Sequence, residues 1–184
     1  MKHKTEDKEQ NLAKYILRGP INIETSVGPK NLFQVIYSDE FCVDYYHAKH
    51  QELSQFGGYV ETEYNLSQDG LCVISNGAMV FNSSVIYGNA EVLGGAEINH
   101  SIIGDAVRIL NKTKIVNSRL SGQISVLSFG SIKNSILGGQ IRIGRDVNIS
   151  NVKSETNALV SSGDYLNQAD FDAKIDSYLA SEMN

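Results

Sequence analysis

Aliphatic residues recur along the middle of the chain in six-residue steps: Ile74, Val80, Ile86, Val92, Ile98, Ile103, Ile109, Ile115, Leu120, Val126, Ile132, Leu137, Ile143 and Ile149. The step shortens to five only at Ile98 to Ile103, Ile115 to Leu120 and Ile132 to Leu137. Two residues before most of these stands a small or β-branched residue, such as Ala78, Ser84, Ala90, Ser101, Ser118 or Ser135. A small-x-aliphatic triplet has period two, so both residues point to one side of a short strand. Two residues after all of the aliphatics but Ile143 come Asn76, Asn82, Gly88, Gly94, His100, Asp105, Asn111, Asn117, Gly122, Ser128, Asn134, Gly139 and Asn151. These are mostly residue types that tolerate a left-handed backbone, which marks a sharp corner. Three strands and three corners per coil predict a triangular prism. At three inward aliphatics per coil, the series predicts between four and five coils.

A longer repeat agrees. The stretches 100–116, 117–133 and 134–150 align without a gap, which is the mark of stacked coils. Only the two ends of such a stack carry unpaired edges, and both need caps. Ile21–Val27 and Leu32–Tyr37 flank Gly28-Pro29-Lys30-Asn31 and predict a β-hairpin cap. Asn167 is placed to cap a C-terminal α-helix carrying Phe171, Ile175, Tyr178 and Leu179 on one face. Residues 1–10 are charged and predict disorder, and Ser161-Ser162-Gly163 reads as a linker. The chain divides into a tail and capping segment (1–56), the solenoid (57–154), and a linker with the final helix (155–184).

The hexads resemble the hexapeptide repeat of left-handed parallel β-helices, an exception to right-handed crossover. Residues 57–74, GGYVETEYNLSQDGLCVI, resemble the lead-in segment of YdcK-like proteins. These are bacterial and phage β-helix proteins usually described as transferases without a settled activity. The likeness rests on Gly57, Gly58, Tyr59, Val60, Glu61, Glu63, Asn65, Leu66, Ser67, Gly70 and Cys72, and on Gly88-Asn89-Ala90-Glu91-Val92. Val73 departs from it, where the family usually has Trp. The resemblance spans about residues 30–150 and implies an all-β solenoid, a left-handed parallel β-helix. It implies no particular chemistry.

Composition narrows the function classes. A chain of 184 residues buries a core without metals or disulfides. The net charge of −5 argues against a nucleic-acid binder working through a basic surface. The charged start and the lack of a long apolar run point to a cytoplasmic protein with no membrane partner. Cys42 and Cys72 suit a reducing compartment, and Cys72 falls on an inward position, as a packed thiol.

Two functional readings follow. Hexapeptide-repeat acyltransferases resemble this fold and bind acyl-CoA in grooves between the subunits of a trimer, with a histidine as general base. His100 is the single coil histidine and the candidate catalytic residue, although it also stands as one rung of a corner ladder with Asn82, Asn117, Asn134 and Asn151. No coil carries the inserted loop that such enzymes use. His47 and His50 lack the further ligands of a metal site, so no metal is expected. Without acyl-CoA chemistry, no cofactor is expected either.

The second reading starts from the outward side. Leu93, Leu110 and Leu127 follow Val92, Ile109 and Val126 and stack in consecutive coils. An aligned apolar ladder marks a contact surface. Glu91, Arg108 and Arg142 form its expected polar rim. On this reading the protein is a rigid binding or structural module that self-associates, as a trimer, or meets a protein partner. The competing expectation is that a terminal segment folds back over the same face.

Overall fold

Every aliphatic of the six-residue series, from Ile74 to Ile149, is completely buried. The computed structural model describes residues 13–75, 77–127 and 129–174. The chain is an all-β solenoid whose short strands stack into three sheets of nine, six and five strands. Pairing between coils is parallel and keeps like residues in line. Ile98, Ile115, Ile132 and Ile149 form one stack, and Ile103, Leu120 and Leu137 another. Side chains at alternate positions therefore fill the prism, and the core is one continuous column.

The solenoid makes about six turns, more than the aliphatic series counts. Val60 pairs with Val80, and Leu66 bridges to Ile86, ahead of the first counted residue. At the other end Ser154, Val160 and Tyr165 continue the inward stacks. Ser154 and Tyr165 are not aliphatic, so the periodicity fades while the backbone ladder continues. Coils thus run past residue 154, and the expected linker leads directly into a last strand, Gly163–Tyr165.

The corners follow the predicted chemistry. Asn82, His100, Asn117, Asn134 and Asn151 all have positive φ, between 47° and 56°. Asn76 and Ser128 lie outside the described residues. Inside the turn that follows the nine-stranded sheet, serines bond along the axis. The Ser84 hydroxyl accepts from the Ser101 N–H, Ser101 from Ser118, Ser118 from Ser135, and Ser135 from Val152. Each of these serines is also a hydroxyl donor to a nearby carbonyl, so the small inward side chains serve hydrogen bonding as well as space.

Strands β1 (Tyr15–Thr25) and β2 (Gly28–Tyr37) form the hairpin, and β2 pairs antiparallel with β3 (Phe56–Val60), the first strand of the parallel stack. The turn falls at Ser26-Val27 rather than at residues 28–31. Thr25 closes it early, its hydroxyl donating to the Gly28 carbonyl and accepting from the Val27 N–H. Helix α1 (Asp39–Lys49) follows, capped by the Ser38 side chain, which accepts from the Phe41 N–H.

Both ends of the core are closed. Strand β4 (Val73–Ile74) is the free edge of the six-stranded sheet, and the Tyr37 hydroxyl bonds both the N–H and the carbonyl of Ile74. Tyr15 donates to the Leu66 and Glu63 carbonyls, and the Asn65 amide donates to the Asn82 and Ser84 carbonyls. At the C-terminal end, helix α2 (168–174) is capped by Asn167, whose side-chain oxygen accepts from the Asp170 N–H at 3.0 Å. Phe171 is fully buried with its ring 5.8 Å from that of Tyr165, sealing the column. Burying such a side chain stabilises by about 1.5–3 kcal/mol. Ile175, Tyr178, Leu179 and residues 1–10 lie outside the described residues.

Candidate functional site: the outer face of the six-stranded sheet

Outward residues on this sheet fall into three rows set by the parallel register. Glu91, Arg108, Ser125, Arg142 and Leu159 form the middle row. Gln123 and Gln140 pair beside it, and Asn157 continues that row, its side-chain oxygen accepting from the Gln140 N–H. Leu93, Leu110 and Leu127 form the third row, each one residue beyond a paired inward position. The ladder ends at Gly144, where a Cβ would meet the Ser161 carbonyl at 2.3 Å.

One end of this face is covered from within the chain. Lys49 at the end of α1 places its ammonium 3.1 Å from one oxygen of Glu91, and Arg108 places Nε 2.8 Å from the other. Glu91 is 3 % exposed, so it holds the helix to the sheet instead of serving as rim to a partner. Tyr45 packs against it. Its hydroxyl is pushed up to about 12, first by burial, which disfavours the phenolate, and then by the adjacent carboxylate. The expected fold-back is thus real for the first rungs, and α1 supplies it.

Beyond Arg108 no described residue covers the face. Ala106, Gln123, Gln140, Arg142, Asn157 and Leu159 line a trough of about 630 Å³. Leu127 and Leu159 are 41 % and 38 % exposed, whereas Leu93 and Leu110 are half-buried. Arg142 is exposed and makes no ion pair with any described residue. The trough therefore offers a row of amides, one unneutralised guanidinium and an apolar margin. That combination suits a protein surface with a carboxylate opposite Arg142.

His100 lies elsewhere, at the corner after the nine-stranded sheet, exposed and with positive φ. Its Nδ1 is 2.9 Å from the Ser83 hydroxyl. Below it the Asn117 amide donates to Asn134, and Asn134 to Asn151, in the ladder that the spacing implies. His100 lines neither the trough nor the smaller hollow around Asp105, Gly122 and Glu155. His47 lies near the end of α1 and His50 is its left-handed C-cap, both exposed. Among the described residues no three His, Cys, Asp or Glu side chains are grouped to hold a metal ion. No helix among them is long and apolar enough to cross a membrane.

Sequence reasoning missed Lys14. Its ammonium lies 3.2 Å from Cys72 Sγ and donates to the Ser67 carbonyl at 2.9 Å. Nothing in the local sequence marks it, because the contact spans 58 residues. No protein-family model matches the chain, and no curated protein matches it significantly.

Proposed function

We propose that the protein is a rigid solenoid module that self-associates as a trimer through the uncovered half of its six-stranded sheet. The observation that carries this reading is the partial cover of that face: α1 engages Glu91, while no described residue covers the outward side of the rungs Gln123–Val126, Gln140–Ile143 and Ala158–Val160. Exposed Leu127 and Leu159 supply apolar contact, and Arg142 supplies a cation for a carboxylate on a neighbouring copy. A chain of net charge −5 has carboxylates to offer. In a closed three-fold ring each interface joins two different patches of the chain, so this face of one copy meets a second surface of the next. The trimer follows from the likeness to hexapeptide-repeat β-helices, and the lead-in segment 57–74 supports placing the chain among YdcK-like proteins of the same architecture. On this reading His100 is a corner residue and the trough a contact surface, without acyl transfer.

The test is a pair of substitutions in the bare rungs. Leu127→Asp and Arg142→Glu each weaken association at least roughly tenfold, about 1.4 kcal/mol, in sedimentation experiments, with unchanged circular dichroism. Folded variants that associate as the wild type does would overturn the assignment of this face.

A further inference from the structure

Lys14 and Cys72 form a buried pair at the N-terminal end of the solenoid, away from the trough. Lys14 directly precedes β1 and is 6 % exposed, and Cys72 directly precedes β4 and is completely buried. Nζ stands 3.2 Å from Sγ, with the Phe41 ring centroid 5.0 Å from Nζ. Sγ faces the carbonyls of Ser67, Asp69 and Ile86 at 3.6–3.7 Å. No described carboxylate makes an ion pair with Lys14. A lysine normally keeps its head in water and lays only its stem on apolar surface. Here the amine itself is withdrawn and set against sulfur.

We propose that Lys14 and Cys72 are an oxidative cross-linking site, at which one oxygen atom is inserted between Nζ and Sγ to give an N–O–S bridge. The oxidant is dioxygen. One of its atoms becomes bonded to both Nζ and Sγ. The S–H bond and one N–H bond of the neutral amine break, and those two hydrogens leave with the second oxygen as water. Sulfur and nitrogen each give up two electrons, which together reduce dioxygen by four. Two equivalents of a dithiol, each oxidised to its disulfide, return four electrons and four protons, restoring thiol and amine and releasing the bridging oxygen as water.

Three features favour the bridge over the ordinary oxidation of a thiol to sulfinic or sulfonic acid. The amine is already in contact with sulfur, so no search is needed once oxidation begins. Burial lowers the basicity of Lys14, because desolvation disfavours the ammonium, and this enlarges the share of neutral amine. Cys72 is completely buried, which shields sulfur from the repeated attack by bulkier oxidants that gives the higher oxyacids. The consequence is a staple: the start of β1 becomes covalently fixed to the first coil, closing a long loop and restricting the unfolded chain.

The experiment uses the full chain, purified with reductant and then exposed to air-saturated buffer, followed by peptide mass spectrometry. The expected product is one cross-linked pair of peptides containing Lys14 and Cys72, heavier than their sum by one oxygen and lighter by two hydrogens. Dithiothreitol removes it, Cys42→Ser retains it, and Cys72→Ser and Lys14→Met lack it. The thermal midpoint of the wild type is higher after oxidation, and that of Cys72→Ser is the same in both states. Cys72 carrying two or three oxygens beside a free Lys14 amine would overturn the proposal. So would an unmodified Cys72 in samples whose Cys42 has become oxidised. Both readouts come from the wild type, so a variant that fails to fold leaves the test intact.

Discussion

The Tyr37 hydroxyl is bonded to both backbone groups of Ile74, donating to its carbonyl at 3.1 Å and accepting from its N–H at 2.8 Å. A solenoid built of stacked coils has an unpaired edge at each end, and Ile74 lies on the first strand of the six-stranded sheet. One phenol takes the place of a missing coil there. It is held by its own packing, with Phe41 at 5.5 Å and Tyr15 at 6.4 Å between ring centroids.

Tyr37→Phe keeps that packing and removes only the hydroxyl. Two buried backbone groups then lose their partner, each at about 1–3 kcal/mol. The expected outcome is a loss of about 2–6 kcal/mol, seen as a lower urea midpoint with an unchanged slope. An unaltered midpoint would show that the edge is satisfied in another way.

The same aromatic cluster sets an alkaline limit. Burial pushes the hydroxyls of Tyr15 and Tyr45 up to about 12, and that of Tyr37 higher still. A raised folded-state value means that stability is fully present below the unfolded tyrosine value, near 10, and is lost as pH rises toward and through the folded value. The phenolates of Tyr15, Tyr37 and Tyr45 are therefore expected to appear only as the β signal in circular dichroism collapses, above about pH 10. A single smooth titration of all nine tyrosines with the β signal intact contradicts this assignment.

Ser118 tests the internal serine ladder. Its hydroxyl accepts from the Ser135 N–H at 3.1 Å and donates to the Val116 carbonyl at 2.8 Å. Ser118→Ala strands the buried Ser135 N–H and is expected to cost about 1–3 kcal/mol. A threefold larger or vanishing effect in denaturant unfolding would mean that the ladder is not a series of equivalent rungs.

At the corners the backbone decides. His100 holds φ 47°, as its asparagine counterparts do, and a β-branched side chain there costs about 1–2 kcal/mol. His100→Asn is expected to leave the thermal midpoint unchanged, and His100→Val to lower it. Equal destabilisation by both would mean that the imidazole contact with Ser83 carries the rung, not the backbone.

The body of the solenoid was legible because its constraint is local and repeated: Ile98, Ile115, Ile132 and Ile149 sit where their spacing puts them. The asparagine corners and the Asn167 cap were legible for the same reason. The extra turns were harder, because Tyr165 and Ser154 occupy core positions that an aliphatic count passes over. The hairpin turn shifted because the single hydroxyl of Thr25 outweighed the Gly-Pro signal. On the candidate face, the leucine ladder stands in the expected register, while Glu91 is claimed by Lys49 of α1. That contact, like Lys14 with Cys72, joins residues far apart in the chain. Nothing in either neighbourhood encodes it, so only the fold reveals it.

The most direct test of the account is the native mass of the reduced protein by light scattering, followed over a dilution series. Self-association through the bare rungs predicts three times the chain mass at high concentration, falling to one in Leu127→Asp at the same concentration. A wild type that stays at a single chain mass throughout would contradict it, and the trough would then be a surface that the protein does not use to meet its own copies.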